Sequence, residues 1–275
     1  MAVVTPDLPK LRSDLRQSRQ ERPEGAVFVL KDPMTGRYFR FGEGEQFIAQ
    51  QLDGATSLEE IVRRTEAYFG EPCPTETLKG FVDRLQQLGL LESDSVPRES
   101  RWTTAERVRG DVFYLRVKAF DPDRFLTWWL PKLRFCFTPA FLVFSAGFIL
   151  FALCLTFMNG DQIGRDAVDL YRIETIALIW LAELAIGLLH ELAHGLTCKR
   201  FGGEVHELGF MLIYFEPAFY CNVSDAWLFP RKSDRLWVSV AGQYSELFIS
   251  AVGAFIWRWA RRLIELDEIL QRIGL

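Results

Sequence analysis

Two of the chain's three histidines stand four residues apart, in Gly187-Leu188-Leu189-His190-Glu191-Leu192-Ala193-His194-Gly195. On a helix, residues i and i+4 share a face, so His190 and His194 can present two imidazoles to one metal ion. The ion such a pair points to is zinc, and Glu191 beside it is placed to act as general base on a water that the metal polarises. The H-E-x-x-H lies inside an apolar run from Thr175 to about Cys198. An ionisable side chain facing lipid costs roughly 2.5 kcal/mol or more, so such groups are kept where they face a cavity or a ligand. The bland alternative is a chance H-E-x-x-H on a soluble helix, or two histidines satisfied within a core. The apolar setting weighs against both.

Further groups stand near this motif in sequence. Glu183 is seven residues before His190 and reads as a bundle-interior hydrogen-bonding group. His206 is twelve residues past His194, outside the H-E-x-x-H-x-x-G-x-x-H spacing, and reads as a strand or interface residue. Asp225, in the polar turn Cys221-Asn222-Val223-Ser224-Asp225, reads as an Asx-type turn cap, with metal ligation as the alternative.

The motif needs a scaffold, and the chain outlines one. Phe135 to Met158 carries no charged residue and is long enough for a transmembrane helix. Asn159 to Glu174 reads as a short loop, and the helix bearing the histidines follows. Gly202-Gly203 breaks that helix. The alternating and then apolar stretch Glu204 to Phe215 is too short to span comfortably, which predicts a re-entrant strand or hairpin beside the site. A third apolar run, Leu236 to Trp257, carries Glu246, and Arg258 to Leu275 reads as an amphipathic tail. Basic residues cluster before the first span, which places the N-terminus in the cytoplasm of a multi-pass cell-membrane protein. Ahead of that span, Val112 to Phe135 interleaves aromatics with Arg116, Lys118, Arg124, Lys132 and Arg134, as an interfacial segment does.

Composition agrees with two unlike parts. The 275 residues are 49% hydrophobic, with a charged N-terminal third and an apolar remainder. A net charge of -4 gives no reason to expect nucleic acid. The five cysteines form no C-x-x-C pair and read as free thiols. No apolar stretch near Met1 resembles a cleavable signal peptide.

Residues 1–25 read as a polar, mobile tail with a short helix near Leu11 to Arg19. Ala26 to Leu30 and Arg37 to Phe41, around Asp32-Pro33-Met34-Thr35-Gly36, read as a hairpin. Three helices follow: Glu45 to Leu52, Leu58 to Phe69 behind the capping box Ser57-x-x-Glu60, and Thr75 to Leu88. Their inner faces are Leu58, Ile61, Val62 and Phe69 on one, and Leu78, Phe81, Val82, Leu85 and Leu88 on the next. The expectation is a winged-helix-like α+β domain over residues 26–93, a linker and interfacial segment over 94–134, and a mainly α membrane core over 135–275 with about three transmembrane helices.

Tyr38-Phe39-Arg40-Phe41, the Leu52-Asp53-Gly54 helix end, Leu58-Glu59-Glu60-Ile61-Val62 and Leu85-x-x-Leu88-Gly89-Leu90-Leu91 together resemble the PqqD-like peptide-chaperone domains. That resemblance implies peptide recognition along the hairpin edge, and partners from secretion or peptide-modification pathways. The membrane part, from about Val112 to Trp257, resembles the site-2 protease family of intramembrane zinc metallopeptidases, in its peptide zinc metalloprotease branch. The matching features are His190-Glu191-x-x-His194-Gly195, Phe201-Gly202-Gly203 with the strand leading to Gly209-Phe210, the Asp225 turn, and Val240-Ala241-Gly242. The resemblance implies a zinc metalloendopeptidase that cleaves peptide or membrane-protein substrates near the cytoplasmic face. Glu191 would be catalytic, and His190 and His194 would hold Zn2+. Two departures stand out. Gln243 replaces the usual Pro, with Glu246 near the usual Asn. The family's third ligand, an Asp in a downstream Leu-Asp-Gly segment, has no counterpart, and Leu266-Asp267-Glu268 does not supply one. The competing reading is a non-catalytic membrane component, or a leader-peptide adaptor, of a peptide maturation or export system.

Overall fold

The computed structural model describes residues 8–23, 25–92, 108–110, 114–170 and 173–273. The chain divides into two compact units, Met1–Thr103 with Trp227–Lys232, and Thr104–Ala226 with Ser233–Leu275.

The first unit is an antiparallel sheet, β1 (Arg16–Arg22), β2 (Gly25–Lys31) and β3 (Tyr38–Phe41), followed by α1 (Glu43–Gln51), α2 (Leu58–Phe69) and α3 (Thr75–Gln87). The β2–β3 turn is closed by Asp32, whose carboxylate accepts from Met34 N–H at 3.0 Å and Thr35 Oγ1 at 2.7 Å. Ser57 caps α2 by accepting from Glu60 N–H at 3.3 Å, and Gly70, at φ 71°, ends it. Leu30, Ile61, Leu78, Leu85 and Leu90 form the core. The expected inner faces hold except at Phe69, which lies outside that core and stacks edge-on to Phe47.

Residues expected as a mobile tail are part of this fold. β1 pairs with β2 over its whole length. Lys10 and Leu11 bridge to Asp53 and Leu91, so no helix forms near Leu11. Arg12 donates to the Gly89 carbonyl at 2.8 Å and to Asp32 at 2.9 Å. Gln20, buried in an otherwise polar strand, donates to the Trp227 carbonyl at 2.5 Å. Residues 1–7 lie outside the described residues, as does most of the linker expected over Ser93 to Asp111, of which residues 108–110 form a strand.

The second unit holds a four-stranded antiparallel sheet ordered β4 (Val108–Gly110), β5 (Tyr114–Phe120), β6 (Leu208–Ile213) and β7 (Glu216–Cys221). The expected interfacial segment is therefore strand β5 followed by a short helix, α4 (Asp123–Trp129). The expected loop after the first apolar helix is itself a helix, α6 (Gly160–Leu170), between α5 (Pro139–Met158) and α7 (Ile173–Arg200). The strand expected from Glu204 begins at Leu208 and returns as β7, giving a hairpin.

Two helical stretches, Pro139–Met158 and Thr175–Arg200, are long and apolar enough to cross a membrane. The expectation of about three is not met among the described residues. The third apolar run and the amphipathic tail form one helix, α8 (Lys232–Ile273). Gln243, Ser245 and Glu246 lower the hydropathy of its apolar part. Tyr244 of α8 meets Ser145 of α5 at 2.5 Å, and Phe148 stacks on Phe255 at 4.5 Å between ring centres.

The Arg12–Asp32 contact yields a prediction. Burial alone would raise the Asp32 carboxyl, but hydrogen bonds from Thr35, Arg12 and the Met34 N–H outweigh it and hold the group below the usual carboxylate range. A depressed folded-state value contributes stability that is present above the ordinary carboxylate range and lost as pH falls through the folded value. A fragment of residues 8–92 is expected to melt cooperatively, and one starting at Ala26 to lose that transition because β1 and Arg12 are gone. Asp32→Asn is expected to cost about 1–3 kcal/mol at neutral pH and to flatten the acid limb of the stability–pH curve. Urea titrations of the two fragments and of the Asp32→Asn variant across pH check this.

Candidate metal centre

The spacing on α7 brings the two imidazoles together as expected. His190 Nε2 and His194 Nε2 lie 3.0 Å apart. Their other nitrogens are held by α8. His194 Nδ1 is 2.5 Å from the Val238 carbonyl oxygen. A carbonyl can only accept, so Nδ1 carries the proton and Nε2 is left with its lone pair, the form that binds a metal. His190 Nδ1 lies 2.8 Å from Glu246 Oε1, an ion-pair distance without the alignment of a hydrogen bond. The carboxylate favours a proton on that nitrogen in the same way.

The fit to a cation follows from these positions. Two lone-pair nitrogens facing each other at 3.0 Å repel unless a proton or a cation lies between them. Two Zn–N bonds of about 2.0–2.1 Å at a tetrahedral angle would separate the nitrogens by about 3.3 Å, close to the spacing seen. Gly242 of α8 packs directly on the pair, and a Cβ there would collide with both Nε2 atoms. Val238, Gly242 and Glu246 are i, i+4 and i+8 on one face of α8, so a single helix face backs both rings.

Glu191 faces a different element. The backbone N–H of Cys221, at the end of β7, lies beside its carboxylate. Small residues on α7 permit this approach. Phe219 packs at Gly187, and Cys221 Sγ lies 3.2 Å from where a Cβ on residue 195 would stand. Strand β7 is itself fixed through Glu207, which accepts from Tyr220 Oη at 2.8 Å and Asn222 Nδ2 at 3.1 Å and pairs with Arg116 at 3.4 Å.

The other candidates stand apart. Glu183 is exposed on α7 rather than interior to a bundle. His206 is exposed and pairs with Asp121 at 3.0 Å, away from the other two histidines. Asp225 is buried and accepts from Glu204 N–H at 2.8 Å, so it ties the α7 exit to the turn. The Asx turn expected there is made by Asn222 instead, which accepts from Ser224 N–H at 3.1 Å. Asp267 is exposed near the end of α8. Among the described residues no group of three His, Cys, Asp or Glu side chains converges on a metal position. Val238 escaped sequence reasoning, Gly242 was read only as part of Val240-Ala241-Gly242 with no contact to the histidines, and Glu246 was noted without its partner. The signal for Glu246 was an acid inside an apolar run, four residues past a glycine.

A second concavity lies in the N-terminal unit. A groove of about 620 Å³ runs between β3, an edge strand, and α3, lined by Phe39, Phe41, Ile48, Phe81, Leu88 and Arg84 among others.

Elemental analysis of detergent-purified chain is expected to show about one zinc. His190→Ala and His194→Ala should each lose most of it, and stoichiometric zinc in the double variant would contradict the site. Gly242→Ala, which should help the helix by about 0.5–1 kcal/mol, is expected to weaken zinc binding by at least about 10-fold in chelator competition. No protein-family model, curated protein or solved structure matches the chain.

Proposed function

We propose that the chain is a membrane-embedded zinc metallopeptidase of site-2 protease type, acting on peptide or membrane-protein substrates near the cytoplasmic face. The observation that carries this reading is the facing pair of Nε2 atoms on an apolar helix, each ring backed on its Nδ1 side by α8, with Glu191 beside them. On this reading α5 and α7 cross the bilayer and the N-terminal unit is cytoplasmic. That unit binds an extended peptide by strand addition at the β3 edge, over the groove beside α3.

Bound zinc would supply Lewis-acid polarisation of a water and of the scissile carbonyl. The chain's residues do the rest. His190 and His194 hold the ion, each kept in its ligating tautomer from the α8 side. Glu191 accepts the proton of the attacking water and returns it to the departing amine.

A specific observation favours a second reading. A groove of about 620 Å³ beside the β3 edge lies in a unit that has its own apolar core. This fits a non-catalytic membrane component, or an adaptor that presents peptides captured in the N-terminal groove.

Cleavage of a membrane-anchored reporter separates the two. The chain alone is expected to cleave little or not at all. Adding a downstream helix with Leu-Asp-Gly is expected to raise cleavage, and Glu191→Gln to abolish the gain. Loss of a metal ligand costs at least the roughly 10–100-fold of an outer partner, so the gain should exceed about 10-fold. Strong cleavage by the chain alone, lost in both Glu191→Gln and Asp225→Asn, would instead make Asp225 the missing ligand. Stable capture of a peptide with no cleavage in any variant would favour the adaptor.

A further inference from the structure

Three faces of α8 meet other elements of its unit. Tyr244 and Phe255 pack on α5, Val238 and Gly242 on the imidazoles, and Trp257 donates to Asp166 of α6. A fourth face is open. It carries Val252, Ile256, Trp259, Leu263 and Leu266, whose exposure runs from 37% at Val252 to 66% at Trp259. Their spacing alternates between four and three residues, the 3.5-residue repeat of a coiled-coil seam. The sequence carries the same spacing on to Leu270 and Ile273, and the helix itself runs to Ile273. At 100° per residue the five positions span about 80° of the helix, the narrow stripe of such a seam rather than the broader face of a helix packed on a core.

Hydrocarbon does not cover this whole stripe. From Arg258 to Glu268, six of eleven residues are charged, and a stretch of that composition stands in water. Leu263 and Leu266 lie within it, so protein is the cover that would relieve their exposure.

The flanks of the stripe point to which protein. With Ile256 and Leu263 at heptad position a, and Val252, Trp259 and Leu266 at d, Arg262 falls at g and Asp267 at e. Both are exposed, on opposite sides of the seam. Two parallel helices set g of one against e of the other, five residues on, so Arg262 of each copy meets Asp267 of the other. A two-fold axis makes both contacts at once. An antiparallel pair would set arginine against arginine and aspartate against aspartate. A helix lying on a membrane surface is rich in Lys and Arg along its polar face, whereas here one flank is acidic.

We propose that α8 pairs in parallel with α8 of a second copy along this stripe, making the chain a homodimer. The pairing needs neither the zinc site nor catalysis.

The test uses the full chain and reads its mass by light scattering in a mild detergent. The parent is expected to be a dimer and Leu263→Glu a monomer. Ile264→Glu places the same charge on an exposed residue off the seam and is expected to leave the dimer intact. Arg262→Asp and Asp267→Arg each set like charges across the seam and are expected to raise the dissociation constant several-fold. Combining the two in one chain restores opposite charges and is expected to restore the dimer. A monomeric parent, a dimer that survives Leu263→Glu, or a double variant no tighter than the single ones would overturn the inference. Benzoylphenylalanine at position 259, irradiated in phosphatidylcholine–phosphatidylglycerol vesicles, is expected to join two chains. Adducts with lipid alone would make the stripe a membrane-facing surface and would also overturn it.

Discussion

The constraint on which the second unit depends is electrostatic. Two imidazole nitrogens, each carrying its lone pair, are held 3.0 Å apart by hydrogen-bonding and ion-pair partners on their far sides. Such an arrangement is stable only with a proton or a cation between the rings. The features around it read as conditions for meeting that demand. The i, i+4 spacing puts the rings on one face of α7. A glycine at the closest point lets α8 reach them. Glycines on the adjacent face of α7 let β7 bring a backbone N–H to Glu191.

The first unit answers a different problem, that of a small core. Its helices bury few large side chains, and the fold is closed by polar links between distant segments. Arg12 joins the Leu88–Gly89 corner to the β2–β3 turn through Asp32. Gln20 and Gln46 are buried polar groups whose amides are used, the second donating to Gln17 at 2.8 Å. An arginine paired with a nearly inaccessible carboxylate stabilises only while both partners are present and charged.

Local signals were legible in the sequence where the physics is local. The capping box at Ser57, the inner faces of α2 and α3, the break after Arg200 and the H-E-x-x-H on one helix face all depend on neighbours within a few residues. What was not legible depends on partners far away in the chain. β1 reads as a tail because only one of its residues, Gln20, is fully buried, so it has no apolar period. β5 reads as interfacial because its cations and aromatics gain meaning only when it pairs with β6, about ninety residues later. Glu246 could be noticed as an acid in an apolar run, but its proximity to His190 follows from how α8 packs. The polar residues that bring α8 to the site are also those that lower its hydropathy below that of a plain span.

The length of α8 has a mechanical consequence. Its 42 residues form a rod of about 63 Å, roughly twice the thickness of a hydrocarbon core. The rod is gripped at two places. Val238, Gly242 and Glu246 meet the imidazoles. Fifteen residues beyond Gly242, Trp257 donates to Asp166 of α6 at 2.9 Å, with Arg261 Nε at 3.5 Å from the same carboxylate. Both grips fix the angle of α8 about its own axis. A turn of one residue, about 100°, would put the Gln243 side chain where Gly242 now admits the rings. The two ends therefore share one torsional setting, and torque applied near Trp257 is borne at the histidines.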